Sequence, residues 1–194
     1  MHELPESSHP ESLFEDTLAA FLATRATAEP PRWSHDRTDF WLRVTHVAAA
    51  RPEQGWKLHV SANLQAAATI LERALETLYK FPVCFKFARA PNQLLSLNRG
   101  DGSATQIGKF ITVYPQSDAQ AVEIACALDR ATAGLSGPAI ASDRKLGPRS
   151  LVHYRYGSFG GQFLQTSIGA LLPAIRSPDG ALIPDKRGTS FQHP

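Results

Sequence analysis

Cysteine and long apolar runs are scarce in this 194-residue chain, and their scarcity excludes several classes of protein. The 2 cysteines, Cys84 and Cys126, form no Cys-x-x-Cys pair, which favours a protein of the reducing cytoplasm. No stretch approaches the roughly 20 apolar residues that a membrane-spanning helix needs. No apolar run opens the chain as a signal peptide does. We therefore predict a cytoplasmic protein without a membrane partner.

Charge of one sign and metal-binding patterns are also missing. The formal net charge of +2 is too small to make nucleic acid the expected partner, so a positive site must be local. The 7 histidines show no H-E-x-x-H pattern and no cysteine partners at ligand spacing, so we predict no metal. The sequence also contains no glycine-rich nucleotide loop, H-R-D segment or D-F-G segment, which excludes a kinase within this chain.

The composition is that of a soluble globular domain, with 43% apolar and 20% charged residues. Strand-like and helix-like segments alternate irregularly, which predicts an α+β fold: a mixed or antiparallel sheet with flanking helices. We expect three regions. Residues 1–30 form an N-terminal tail and helix, residues 31–160 form the core, and residues 161–194 form a C-terminal hairpin or tail.

Apolar residues repeated every three to four positions predict three helices: Ser12 to about Thr27, about Ala62 to Tyr79, and Asp118 to about Thr132. Ser61 is available as the cap of the second helix. The polar stretch 98–103, with its glycines, predicts a flexible loop. Pro178-Asp179-Gly180 lies between two apolar pairs and predicts a peripheral hairpin.

The most informative segment is the predicted strand at residues 55–61. Alternation puts Lys57 and His59 on one face of it, while its apolar residues face a core. Two groups with titratable protons then share a patch, which suggests phosphate handling or an acid beside a positive charge. Three further predicted strands, at residues 84–87, 110–114 and 151–156, each carry a basic or phenolic residue near the middle.

Lys86 is the residue hardest to explain as an ordinary surface lysine. An alternating lysine usually lies on a solvated face, and a lone histidine is usually structural, but Lys86 is flanked by Phe85 and Phe87. A half-buried lysine near other cations loses its proton more easily, because desolvation and like charge both disfavour the charged form. Such a lysine can serve as a base.

Four segments, in order, resemble the N-terminal lyase domain of class III lanthipeptide synthetases, which in turn resembles the bacterial phosphothreonine lyase effectors. The four segments of this chain are residues 55–61, 85–87, 108–115 and 151–157. The resemblance covers roughly residues 33–191. It includes Pro184-Asp185-Lys186-Arg187-Gly188, which looks like the segment that precedes the kinase in those synthetases.

The resemblance implies β-elimination of phosphate from phosphoserine or phosphothreonine in a precursor peptide, leaving a dehydroamino acid, with no metal or organic cofactor. It implies that Lys86 is the general base that removes the α-proton and that His59 is the general acid that protonates the departing phosphate. Lys57 and Arg155 match cations that hold phosphate or stabilise the enolate-like charge. Tyr114 matches a tyrosine of the site.

The chain departs from the family pattern in its arginines. Arg99 is the nearest counterpart of an arginine that lies between the base and the tyrosine strand, and it aligns only with a shift. A second arginine, expected several residues after the last motif, is replaced by Ser-Phe-Gly-Gly-Gln at residues 158–162, with Arg144 or Arg149 as candidate substitutes. Lys109 lies in a shared motif, where a structural role and a substrate-contacting role are equally open.

Because the chain contains no kinase, the expected partners are a phosphorylated precursor peptide and a separate or fused kinase and cyclase. We expect either the first domain of a larger synthetase or a free-standing lyase. Two rival functions remain open. One is a non-catalytic module that binds a phosphopeptide or leader peptide. The other is a phosphatase, which is disfavoured because no cysteine nucleophile in a phosphate loop and no metal-binding carboxylate cluster is present.

Overall fold

The computed structural model describes residues 12–25, 32–186, 188 and 191. The helices are α1 (Leu13–Ala23), α2 (Ala67–Leu78), α3 (Pro91–Arg99) and α4 (Asp118–Ala131). The strands are β1 (Trp33–Arg37), β2 (Trp41–His46), β3 (Gln54–Val60), β4 (Cys84–Ala88), β5 (Ile111–Tyr114), β6 (Arg144–Lys145), β7 (Val152–Ser158), β8 (Phe163–Gln165), β9 (Leu171–Arg176) and β10 (Leu182–Pro184). Residues 1–11 of the predicted N-terminal tail and the end of the first predicted helix lie outside the described residues.

Two antiparallel sheets organise the described part of the chain. One has seven strands in the order β1-β2-β4-β5-β3-β7-β6, and the other has three strands in the order β10-β9-β8. Together with the helices, they confirm the predicted α+β fold in its antiparallel form. Among the described residues, no helix is long and apolar enough to cross a membrane.

Rows of residues that face each other across the seven-stranded sheet alternate between apolar and polar. One apolar row consists of Leu42, Phe87, Ile111, Val60 and Val152, and the other of Val44, Phe85, Val113, Leu58 and Tyr154. Both rows belong to or pack against the hydrophobic core, which also contains buried residues of α1, α2 and α4. Between them lies a polar row of Arg43, Lys86, Thr112, His59 and His153. Since successive residues of a strand point to opposite faces, this polar row lies on the face away from the core.

Helix α3 was not predicted, because the polar residues at its end were interpreted as a loop. Pro91 stands at its start, and Gly100 ends it in the left-handed region at φ 77°. Both are sequence signals of helix ends. The prediction that Ser61 caps α2 is wrong, because α2 begins only at Ala67. Ala66 instead donates its N–H to Asn63 Oδ1 at 2.8 Å.

The predicted hairpin is confirmed as β9 and β10, but it is not peripheral. It pairs with β8, and Asp185, just after β10, donates its N–H to the Pro173 carbonyl at 2.7 Å. Phe163 and Pro173 reach the central pocket described next. The three-stranded sheet therefore forms part of the wall of the candidate site.

Candidate active site

A cavity of about 330 Å³ lies on the polar face of the seven-stranded sheet. Its lining includes six of the seven site residues predicted from the sequence: Lys57, His59, Lys86, Lys109, Tyr114 and Arg155. The other lining residues are Thr105, Gln106, Thr112, Ser158, Phe159, Gly160, Phe163 and Pro173. Four of the described lining residues are lysine or arginine and none is a carboxylate, so the cavity is suited to an anion.

Strand register brings the predicted residues together. Thr112 on β5 lies directly opposite Lys86 on β4 and directly opposite His59 on β3. One strand further on, Lys57 lies opposite Arg155 on β7. Since residues two apart on a strand share a face, Lys57 and His59 point to the same side of the sheet. Segments distant in sequence thus converge on one patch.

Lys86 is half-buried between two completely buried phenylalanines, Phe85 and Phe87. The alternation of β4 places both rings in the core and the lysine at the cavity. Its Nζ lies 3.8 Å from the centroid of the Trp41 ring. This cation–π contact fixes the position of the amine beside the cavity, because the ring face attracts positive charge.

His59 is oriented by Asp143, a residue that the sequence did not single out. The imidazole Nδ1 is hydrogen-bonded to Asp143 Oδ2, which leaves Nε2 for the cavity. Ser142 Oγ donates to the other carboxylate oxygen at 2.7 Å. The Asp143 side chain is fully buried and the His59 side chain is only 5% exposed. The imidazole is therefore held in one tautomer and one orientation.

Burial lowers the pKa of His59 to about 4, although Asp143 acts in the opposite direction; Lys109 and Lys57 lower it further. Burial alone would raise the pKa of Asp143, but its contacts with His59 and Lys109 hold it well below its usual range. At neutral pH His59 is thus a neutral imidazole that donates its Nδ1–H to the Asp143 carboxylate. A phosphate dianion beside it would raise its pKa, because opposite charge stabilises the imidazolium.

Lys109 shares the same carboxylate. Its Nζ lies 3.0 Å from Asp143 Oδ1, and its side chain is only 3% exposed. The sequence left open a structural or a substrate-contacting role for Lys109. The ion pair places it behind His59 as well as in the cavity lining, so one lysine both holds Asp143 and adds positive charge to the pocket.

Arg155 is held by a second carboxylate from the C-terminal segment. Its Nη2 donates to Asp185 Oδ1 at 2.6 Å, while the Ser158 N–H donates to Asp185 Oδ2 at 3.1 Å. Gly157 makes room for this contact, since a Cβ there would lie 2.9 Å from Asp185 Oδ1 and 3.0 Å from Arg155 Nη2. The segment after β10 therefore orients a cation of the pocket.

His153 lies opposite His59 but has a structural environment. Its Nδ1–H donates to the Leu151 carbonyl at 3.1 Å, and its Nε2 accepts the Ile140 N–H at 3.3 Å. Both ring nitrogens are thus used as in a neutral imidazole, and burial lowers the pKa of His153. Of the two histidines, His59 is the one that lines the cavity.

The structure does not bring every candidate arginine to the pocket. Arg99 is an exposed residue in the last turn of α3, and Arg144 and Arg149 are also exposed; none of the three lines the cavity. Within the described ranges, no group of three or more histidine, cysteine, aspartate or glutamate side chains could hold a metal ion.

Solved structures of phosphothreonine lyase effectors share this fold at low sequence identity. OspF from Shigella flexneri superposes with a TM-score of 0.52 at 16% identity, covering 76% of this chain and 78% of that chain. SpvC from Salmonella gives 0.52 at 14% identity, covering 82% and 83%. VirA from Chromobacterium violaceum gives 0.50 at 14% identity, covering 78% and 92%.

Sequence comparison gives a closer relationship. The probable SapB synthase of Streptomyces coelicolor is 36% identical over 172 residues, which is 89% of this chain. The chain spans only 18% of the length of that relative. The family described as "RamC, N-terminal domain" matches residues 21–194. The chain therefore belongs to the RamC N-terminal domain family.

Proposed function

We propose that this chain is a phosphoserine or phosphothreonine lyase that eliminates phosphate from a phosphorylated precursor peptide in lanthipeptide biosynthesis. The observation that carries the proposal is the position of Lys86 and His59 on one row of the sheet, facing one cationic cavity. Two strand spacings separate them, so their Cα atoms lie roughly 10 Å apart. A phosphorylated residue fits between a base and an acid placed in this way.

Lys86 acts as the general base in this proposal. As a neutral amine it takes the α-proton, the electron pair of the Cα–H bond forms the Cα=Cβ double bond, and the Cβ–O bond breaks. The product is dehydroalanine from phosphoserine or dehydrobutyrine from phosphothreonine. An α-proton of a peptide is a weak acid, so the reaction also needs positive charge near the developing enolate. In this proposal Lys57 provides it.

His59 acts as the general acid. The dianionic phosphate raises the pKa of the imidazole on binding, so His59 is protonated in the complex and its Nε2–H is given to the departing phosphate oxygen. Asp143 stabilises the imidazolium during this step. General acid–base catalysis of this kind contributes about 10²- to 10⁴-fold to a rate.

Arg155, Lys109 and Tyr114 hold the phosphate in this proposal. Charge-assisted hydrogen bonds from a guanidinium are strong and directional, and the contact with Asp185 fixes the orientation of Arg155. The four described cations of the lining also compensate the charge of phosphate as it leaves.

The comparisons support the class of reaction and the biosynthetic setting. The likeness to phosphothreonine lyases supports elimination rather than hydrolysis, and the relative named as a SapB synthase supports a peptide that is being modified. A kinase reaction must supply the phosphorylated residue. A cyclase reaction, in which a nucleophile adds to the dehydroamino acid, is the step that would consume the product.

Mass spectrometry of a phosphoserine peptide incubated with the purified chain in a metal chelator tests the proposal. A dehydroalanine peptide is the expected product. Recovery of the serine peptide would show a phosphatase instead. Peptide that binds but stays phosphorylated would favour the non-catalytic binding module.

A further inference from the structure

We propose that an exposed apolar face of the three-stranded sheet binds an apolar side chain of the substrate peptide, about two residues from the phosphorylated residue. The face, called here the rim face, consists of Phe163, Leu171, Pro173, Ile175 and Ile183. The proposal rests on the function proposed above, because it requires the substrate peptide to bind with its phosphorylated residue in the cavity.

Strand register places these residues on one surface. Phe163 on β8 lies opposite Pro173 on β9, and both line the cavity. Leu171 lies two residues before Pro173 on the same strand, so its side chain points to the same face. Strand β10 pairs with the other edge of β9, where Ile183 lies opposite Ile175. The rim face therefore continues from the cavity wall across the sheet.

The rim face is apolar where a solvated surface is normally polar. Leu171 is 65% exposed, Phe163 50% and Ile183 41%. Single exposed apolar residues are common, but a contiguous group beside a cavity marks a binding surface. On the opposite face of β9, Ala174 is only 1% exposed and is therefore covered by other parts of the chain.

The occupant follows from continuity with the cavity. A phosphorylated residue inside a peptide must leave its more distant neighbours at the rim, because the cavity of about 330 Å³ is too small to enclose a peptide of several residues. Two residues of an extended chain span roughly 7 Å, which is the distance from Pro173 at the cavity to Leu171. In an extended substrate peptide the same distance separates the phosphorylated residue from its second neighbour. None of the five rim-face residues is charged, and the uncharged Gln165 lies opposite Leu171 on the same surface, which fits an apolar neighbour.

Two adjacent leucines of β9 provide a matched test. Leu171 belongs to the rim face, whereas Leu172, 42% exposed, points to the opposite face of the same strand. The probes are two fluorescein-labelled phosphoserine peptides. One carries leucine both two positions before and two positions after the phosphoserine, and the other carries glutamine at these two positions. Fluorescence anisotropy gives the Kd of each peptide for the wild-type chain, Leu171→Ser and Leu172→Ser.

We expect the wild-type chain to bind the leucine peptide about tenfold more tightly than the glutamine peptide, as burial of one leucine side chain predicts. Leu171→Ser should reduce this preference to about twofold or less, and Leu172→Ser should preserve it. Leu171→Ala, which removes the same side chain without adding a hydroxyl, gives a second variant should Leu171→Ser unfold. Equal Kd values for both peptides in the wild-type chain, or a preference unchanged in Leu171→Ser, would overturn the inference.

The same samples separate this inference from the proposed function. Each mixture is analysed afterwards for dehydroalanine by mass spectrometry. A leucine preference that depends on Leu171 without any dehydroalanine would support the rim face and refute the lyase. Dehydroalanine formed at equal rates from both peptides, with equal Kd values, would support the lyase and refute the rim face.

Discussion

Lys86 and His59 each lie directly opposite Thr112, on the two strands that flank it in the seven-stranded sheet. The amine and the imidazole therefore approach the same cavity from its two sides. A buried carboxylate lies behind each of two residues that line the cavity: Asp143 behind His59 and Asp185 behind Arg155. The pocket therefore presents positive charge to a ligand, and the two carboxylates lie behind the side chains that they orient.

Replacement of Lys86 by alanine should abolish elimination while leaving phosphopeptide binding nearly intact. The amine is the proposed base, and other cations are proposed to hold the phosphate, so we expect at least about a 10²-fold loss of kcat and a small change in Kd. Arg43→Ala is the matched control, since Arg43 lies opposite Lys86 on the same row but outside the cavity lining. Turnover retained in Lys86→Ala would remove the proposed base.

Asp143→Asn should lower kcat more than it changes KM. The amide keeps the size of the side chain but lacks the charge that stabilises the imidazolium, and it no longer fixes the Nδ1–H tautomer. We expect kcat to fall by about 10²- to 10⁴-fold with KM changed by only a few fold. Steady-state kinetics at several pH values measures both, and Asp143→Glu, which restores the charge, should recover part of kcat. A rise in KM as large as the fall in kcat, with no recovery of kcat in Asp143→Glu, would indicate that Asp143 has only a structural role.

Stability should fall on acidification because of His59. Its folded-state pKa of about 4 lies below the ordinary value of 6.5, so the unfolded chain binds an extra proton between these values. The stabilising effect is complete above pH 6.5 and is lost as the pH falls toward 4. Between pH 7.5 and pH 5, His59 should account for a loss of about 2 kcal/mol in the free energy of unfolding.

Urea unfolding of wild type and His59→Asn at the two pH values measures this loss. The asparagine amide keeps a donor for Asp143 and does not titrate, so the variant should lose about 2 kcal/mol less than the wild type on acidification. His153, whose pKa burial also lowers, leaves a residual dependence in both proteins. Identical pH dependence in the two proteins would contradict the burial of a neutral His59.

Gly157→Ala should weaken phosphopeptide binding through Arg155. The added Cβ would displace the Asp185 carboxylate or the guanidinium, both of which lie within 3.0 Å of it. We expect Kd to rise by about tenfold, the order of one charge-assisted hydrogen bond. Gly147→Ala is the control, because nothing lies within 4 Å of a Cβ there. Unchanged binding in Gly157→Ala would show that the contact between Arg155 and Asp185 does not position the arginine for phosphate.

The alternation of residues within each predicted strand was enough to predict which side chains face the cavity. Lys86 between two phenylalanines, and Lys57 and His59 two apart, reach the cavity because strand alternation fixes which face a side chain takes. The irregular alternation of elements predicted a mixed or antiparallel sheet, and the strands pair antiparallel.

The residues that the sequence missed depend on contacts between distant segments. Asp143 lies 84 positions from His59, in a turn-rich segment with no periodicity, and no local signal relates the two. Asp185 meets Arg155 only because the C-terminal hairpin folds back against β7. Helix α3, by contrast, was detectable from Pro91 and Gly100 at its ends.

The bond that breaks is the most direct test of elimination. Reaction of a phosphoserine peptide in water enriched in oxygen-18, followed by mass spectrometry of the released phosphate, distinguishes the two possible bonds. A lyase breaks the Cβ–O bond, so all four phosphate oxygens come from the substrate and we predict phosphate without label. Phosphate that carries one oxygen-18 would mean that water attacked phosphorus, and it would contradict the elimination proposed for Lys86 and His59.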